Sequence, residues 1–138
     1  MGGVEPQKRH WSRRFALQAL YQWQLAGHSL DELIAQYTTD KNWENIDKDY
    51  FVELLRESIS NADELTAEFT RHVDLSPAHI DPIEKAILLF STYELLHKNE
   101  TPTEVIISEA IILCKKFGSI EGYKFVNGVL DKVAEARS

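Results

Sequence analysis

The stretch VIISEAIILCKKFG, Val105–Gly118, decides between two readings of the chain. Its four isoleucines, Ile106, Ile107, Ile111 and Ile112, are β-branched and by themselves suit a strand. The run is too long for one, and it carries Glu109, Ala110, Lys115 and Lys116, which favour a helix. Gly118 supplies the stop. The stretch therefore reads as a helix, apolar enough to lie at the centre of the C-terminal half.

The same spacing extends in both directions. Downstream, Phe125, Val126, Val129, Leu130 and Val133 make a last helix, in which Gly128 should cost about 1 kcal/mol relative to alanine. That cost points to close backbone packing or a ligand contact at Gly128. Upstream, Thr101-Pro102-Thr103 resets the chain, and Ile83, Ala86, Ile87, Phe90 and Leu95 run helical before it. Ser76-Pro77 and Asp81-Pro82 each place a cap before a proline at the first helical position, and Glu84 stands at capping-box distance from Asp81. In the first half, Ser12 can cap a helix reaching about Leu25, with Gly27 as its stop. Ser29 and Glu32 have capping-box spacing before Leu33, Ile34 and Tyr37. After a polar turn region, Thr38 to Ile46, the stripe Phe51, Leu54, Leu55, Ser58, Ile59, Ala62, Leu65, Phe69 and Val73 makes a long helix bent near Asn61. No alternating pattern bounded by hairpin turns occurs, so the predicted class is all-α.

A chain of 138 residues fits one domain or two small bundles sharing a core, and can bury roughly 70% of its unfolded surface. The single cysteine, Cys114, excludes an internal disulfide and a multi-thiolate zinc site, which suits a reducing compartment. No apolar run approaches the roughly 20 residues of a membrane span, and Met1 to Pro6 is followed by charge rather than by a signal-peptide core. The expected location is the cytoplasm.

Catalytic signatures are absent: there is no glycine-rich phosphate loop, GxSxG, HExxH or Cys/His cluster. His10, His28, His72, His79 and His97 are scattered, without a ligand pair at helical spacing. Cys114 lies in an apolar stripe and reads as a small core residue. No enzyme activity, cofactor or metal is expected.

The formal net charge is −7, which argues against a non-specific nucleic-acid coat. Lys8, Arg9, Arg13 and Arg14 nevertheless fall within seven positions and face only Glu5 nearby, leaving an acidic remainder of about −10 by the same count. A basic edge on an acidic body favours oriented binding. If Ser12 caps the first helix, Arg13 and Arg14 occupy its first turn, where the macrodipole disfavours cations by about 0.3–1 kcal/mol each. A bound phosphate would reverse that sign. His10 and Trp11 add ring faces that can stack on unpaired bases. The bland alternative is a solvated basic tail.

Three segments also carry a likeness. They are Arg13-Arg14-Phe15-Ala16-Leu17-Gln18-Ala19-Leu20-Tyr21-Gln22-Trp23, then Asp81-Pro82-Ile83-Glu84-Lys85-Ala86-Ile87-Leu88 with Tyr93-Glu94-Leu95, and the run from Val105 through Ser108-Glu109-Ala110 to Lys124-Phe125-Val126-Asn127-Gly128-Val129-Leu130-Asp131. In this order they resemble the family of the bacterial transcription antitermination factor NusB, in register over nearly the whole chain. The resemblance implies an all-α fold of about seven helices in two linked three-helix subdomains. These would be residues 12–75 and 76–138 of a single domain, with 1–11 as a basic leading segment. It implies binding to the boxA element of single-stranded nascent RNA together with ribosomal protein S10, acting as NusE. That assembly would join elongating RNA polymerase and other Nus factors, notably on ribosomal RNA operons.

Carried onto matching positions, the resemblance places Arg9, His10, Arg13, Arg14, Lys124 and Phe125 on RNA, and Tyr21 and Glu84 at the S10-like interface. His10 and Trp11 stand where the family often has arginine, so the aromatic share of the grip is larger. Ser108 replaces the usual Asn before Glu109-Ala110, and Gly122-Tyr123 precedes the Lys-Phe pair in a variable stretch. Replacing Arg13 and Arg14 by alanine is expected to weaken RNA binding and leave helical content intact. The rival is a protein-interaction adaptor whose partner holds the RNA. A helical appendage of an RNA methyltransferase is a third relation, but a chain ending at Ser138 leaves no room for a cofactor-binding domain.

Overall fold

The computed structural model describes residues 4–74 and 76–137. Leu75, the expected subdomain boundary, lies outside the described residues, as do residues 1–3 of the expected basic segment and the side chain of Glu5. Among the described residues seven α-helices run in chain order: α1 (Val4–Ala26), α2 (Leu30–Tyr37), α3 (Lys48–Ser60), α4 (Ala62–Thr70), α5 (Pro82–His97), α6 (Thr103–Phe117) and α7 (Gly122–Ala134). Short 3-10 turns occupy Trp43–Asn45 and Pro77–His79, and the described residues contain no strand.

Most boundaries follow local chemistry. Ser29 and Glu32 close a full capping box on α2. Asp47 caps α3 through Tyr50 N, and Asp81 caps α5 through the amides of Ile83 and Glu84 ahead of Pro82. Gly27 ends α1 at φ +68°, a conformation that suits glycine. Asn61 is the joint between α3 and α4, where the sequence places a bend.

Three expectations are corrected. The first helix does not begin at Ser12: α1 starts at Val4, with Pro6 in its first turn, where a missing N–H breaks no intrahelical bond. Arg13 and Arg14 therefore lie more than two turns in, beyond the reach of the end dipole, and the argument from first-turn repulsion does not apply. Ser12 is instead fully buried. Its Oγ accepts from Asp47 N at 2.9 Å and lies 2.7 Å from Asp47 O and 3.0 Å from Lys8 O, tying α1 to the entrance of α3.

The central helix is α5, not α6. It packs on α1, α3, α4, α6 and α7, and every residue from Ala86 to Leu95 is buried. A helix enclosed on all sides needs no amphipathic pattern, and Ser91, Thr92 and Glu94 disguise α5 in the sequence as less apolar than its surroundings require. By contrast α6 buries Ile106, Ala110, Leu113 and Cys114 and turns Val105 and Ile112 to solvent.

Gly128 is also not a close-packing site. It is exposed, and a Cβ built on it would meet nothing within 4 Å. Gly128→Ala is therefore expected to stabilise the fold by about 0.5–1 kcal/mol. Chemical denaturation should show a higher midpoint at unchanged m-value, and a lower midpoint would contradict the open surroundings seen here.

Candidate nucleic-acid and partner interface

The basic residues of α1 receive four different environments. Arg13 is 2% exposed, and its Nε and Nη2 donate to both carboxylate oxygens of Glu94, which is fully buried on α5. The Tyr50 hydroxyl of α3 donates to the same carboxylate. Burial alone would lower the pKa of Arg13, but the hydrogen bonds and charge of Glu94 outweigh it and raise it. Burial, with the charge and hydrogen bond of Glu94, likewise pushes the Tyr50 phenol well above its ordinary value. This side chain is a cross-link between three helices.

Arg9 lies 4.2 Å above the Tyr50 ring and 3.7 Å from Asp47, its side chain partly exposed and its Nε buried. His10 Nδ1 bonds Glu109 Oε1 of α6 at 2.7 Å, and the same oxygen stands 3.6 Å from Arg13 Nη1. Arg14 is half-exposed between the rings of Trp11 and Phe117, at 5.0 and 5.1 Å. Lys8 is exposed.

At the start of α7, Lys124 is exposed and pairs with Glu121 at 2.7 Å, while Phe125 packs half-buried on the core. Among the described residues no hydrogen bond, ion pair or cation–ring contact joins either of them to α1. The structure thus groups Arg9, His10 and Arg13 around Tyr50 and Glu109, sets Arg14 beside Phe117, and leaves Lys124 and Phe125 as a separate element.

The two expected partner residues also separate. Tyr21 lines an apolar groove of about 240 Å³ with Leu17, Gln18, Gln22, Tyr37, Ile83 and Phe117. The Tyr37 hydroxyl, pushed up to about 12 by burial and the nearby Asp40 charge, donates to Gln22 Oε1 at 2.7 Å and braces that wall. Glu84 is only 6% exposed. Its carboxylate does not close a capping box with Asp81 but accepts from Ser119 Oγ at 2.7 Å. Glu84 therefore shapes the α6–α7 loop from beneath, and the loop's tip carries Ile120, 91% exposed.

Sequence reasoning missed Glu94, Tyr50, Glu109, Phe117 and Ile120. Only Glu94 left a signal, a charge inside the apolar run Ala86 to Leu96, which has to find a partner when buried. Cys114 is fully buried, and burial with the charges of Glu84 and Asp81 pushes its thiol up to about 12, an unreactive state. Among the described residues no three His, Cys, Asp or Glu side chains could share a metal ion, and no helix is long and apolar enough to cross a membrane.

Residues 10–135 match the NusB family. The chain is 46% identical over 127 residues to the transcription antitermination protein NusB of Pseudomonas savastanoi pv. phaseolicola, covering 92% of this chain and 77% of that one. It is 42% identical over 129 residues to the protein of the same name from Pseudoalteromonas atlantica, covering 94% and 92%. Among solved structures, Thermotoga maritima NusB superposes with a TM-score of 0.81 at 28% identity, over 94% of this chain and 92% of that one. A crystal structure of the antitermination factors NusB and NusE with double-stranded RNA gives 0.83 at 26% identity, over 92% and 96%.

Proposed function

This chain belongs to the NusB family, and from that membership we propose that it is a non-catalytic, cytoplasmic, RNA-binding transcription antitermination factor. It binds boxA RNA together with ribosomal protein S10 (NusE) and acts with other Nus factors on elongating RNA polymerase, notably on ribosomal RNA operons. The observation that carries this reading is one face of α1. Lys8, Trp11, Arg14, Gln18 and Tyr21 follow one another at helical spacing, so an exposed lysine, a ring and a half-exposed arginine lead directly into an apolar groove. Cations at one end suit a phosphate backbone, and the groove suits a protein partner.

In this reading Lys8, Arg9, Arg14 and Lys124 hold phosphates, Phe125 and His10 offer ring faces to splayed bases, and Tyr21 contacts the partner. Arg13 and Glu84 act from below, by fixing α1 and the α6–α7 loop. Lys124 has only to leave an exposed pair with Glu121, which holds it weakly.

With about four cations on a single strand, log affinity should fall against log salt with a slope near −3. Fluorescence anisotropy of boxA RNA, titrated with the chain alone and with S10 present, measures it. Binding should be weak alone and tighter together. A salt-independent affinity, or RNA binding by S10 that this chain does not increase, would favour the adaptor reading. Because a relative was crystallised with double-stranded RNA, a duplex of the same sequence is the control. Equal affinity for the duplex would remove base stacking from the account.

A further inference from the structure

We propose that Arg14 is a preformed fork for an RNA phosphate, held in position by Trp11 and Phe117. The proposal rests on the RNA reading above and adds the residues that orient the contact. The carboxylates near α1 are already divided among its other basic groups: Asp47 faces Arg9, Glu109 faces His10, and Glu94 holds Arg13. Arg14 differs from all three. No ion pair or hydrogen bond engages its guanidinium among the described residues, although it is half-exposed rather than extended into solvent.

What holds it is two rings from different parts of the chain. Its Cζ lies 5.0 Å from the Trp11 ring on the same helix and 5.1 Å from the Phe117 ring at the end of α6. Both distances fall within the roughly 6 Å over which a ring attracts a cation. A guanidinium is flat, carries its five N–H groups in the plane, and is weakly hydrated on its faces. Rings beside it leave the edge available, and the edge is the part that matches two oxygens of a phosphate. An arginine already confined in this way loses less rotamer freedom when the anion arrives.

Position adds a second argument. Lys8 precedes Trp11 and Arg14 on the same face, and Phe117 also walls the apolar groove with Tyr21. The fork therefore stands where a strand gripped at the start of α1 would pass toward a partner seated in the groove. A protein carboxylate could satisfy the same edge, but a continuous face that begins with an exposed lysine favours the phosphodiester backbone.

The test uses the full chain with S10 and fluorescein-labelled single-stranded boxA RNA, over a series of salt concentrations. Arg14→Ala should bind about tenfold more weakly, with a salt slope shallower by about 0.7, one phosphate of a single strand. Arg14→Lys should keep the slope and still lose several-fold, because an ammonium cannot fork. Trp11→Leu should lose several-fold alone and less than twofold more in the Arg14→Ala background, the non-additivity expected of a residue acting through another. Thermal midpoints of the two Arg14 variants should stay near that of the parent, since Arg14 bonds no buried group; Trp11 packs in part on the core, so Trp11→Leu is compared at equal folded fraction. Parental affinity and slope in Arg14→Ala would overturn the fork, as would independent, multiplying effects of Trp11→Leu and Arg14→Ala. Weakened S10 binding without RNA at an unchanged slope would assign the fork to the protein partner instead. A parent chain that binds no RNA at any salt would overturn the RNA reading and the fork together.

Discussion

Arg13→Ala is expected to destabilise the protein by about 3–5 kcal/mol, the range for removing one partner of a buried ion pair. For a chain of this size that is a fall in thermal midpoint of roughly ten to twenty degrees. The reason lies in what remains. Glu94 is fully buried, and without Arg13 its carboxylate keeps only the Tyr50 hydroxyl, with no cation bonded to it. Three helices converge there, so the loss loosens α1, α3 and α5 at once. The basic segment therefore divides: Arg14→Ala should leave the helical signal intact, whereas Arg13→Ala should not, against the expectation that the two arginines behave alike. Replacing the pair together, Arg13→Met with Glu94→Leu, should recover much of the stability, because an apolar pair of similar volume leaves no isolated charge. Circular dichroism melts of the three variants measure this. A midpoint for Arg13→Ala within a few degrees of the parent would mean that water or another cation satisfies Glu94. Any fall in RNA affinity of Arg13→Ala has to be read against its folded fraction.

The second large effect is expected at Gly122. A Cβ there would lie 2.1 Å from Glu84 Oε2 and 2.8 Å from Ser119 Oγ. Gly122→Ala must therefore push the Glu84 carboxylate off Ser119 or lift the start of α7. Glu84 is buried, so neither adjustment is free, and a loss of about 1–3 kcal/mol is expected. The same displacement would move the loop that carries Ile120, so S10 binding should weaken as well. Glu84→Ala supplies the control. With the carboxylate gone, adding Gly122→Ala should cost little more, because the Ser119 hydroxyl, no longer bonded to Glu84, can rotate away from the added methyl. Additive losses in the double variant would place the strain in the α7 backbone rather than against Glu84. Glycine's role here is room for a carboxylate, and it is opposite to that at Gly128, where alanine should help.

Much of the architecture was legible because its signals are local. Caps at Ser29 and Asp81, the stop at Gly27 and the joint at Asn61 all act within one helical turn, and each appears where the residues place it. Helical spacing and the absence of hairpin turns were enough for the all-α class. The start of α1 was misplaced because Ser12 is a good cap in isolation. Its hydroxyl went to Asp47, 35 residues away, and Pro6 fits the first turn of a longer helix.

The basic segment shows the same boundary most clearly. By itself the sequence determines that four cations and two rings cluster at the front of an acidic chain; that the whole cluster lies within one helix is decided by the fold. The sequence does not determine which cation faces outward, because charge is identical in Arg9, Arg13 and Arg14. The tertiary structure decides this by bringing carboxylates from distant helices to particular arginines: Glu94 to Arg13, and Asp47 to Arg9. A buried carboxylate demands a cation, and helix packing alone selects the nearest one. Arg14 is left beside two rings for the same reason, since α6 ends next to it on an aromatic residue rather than an acid.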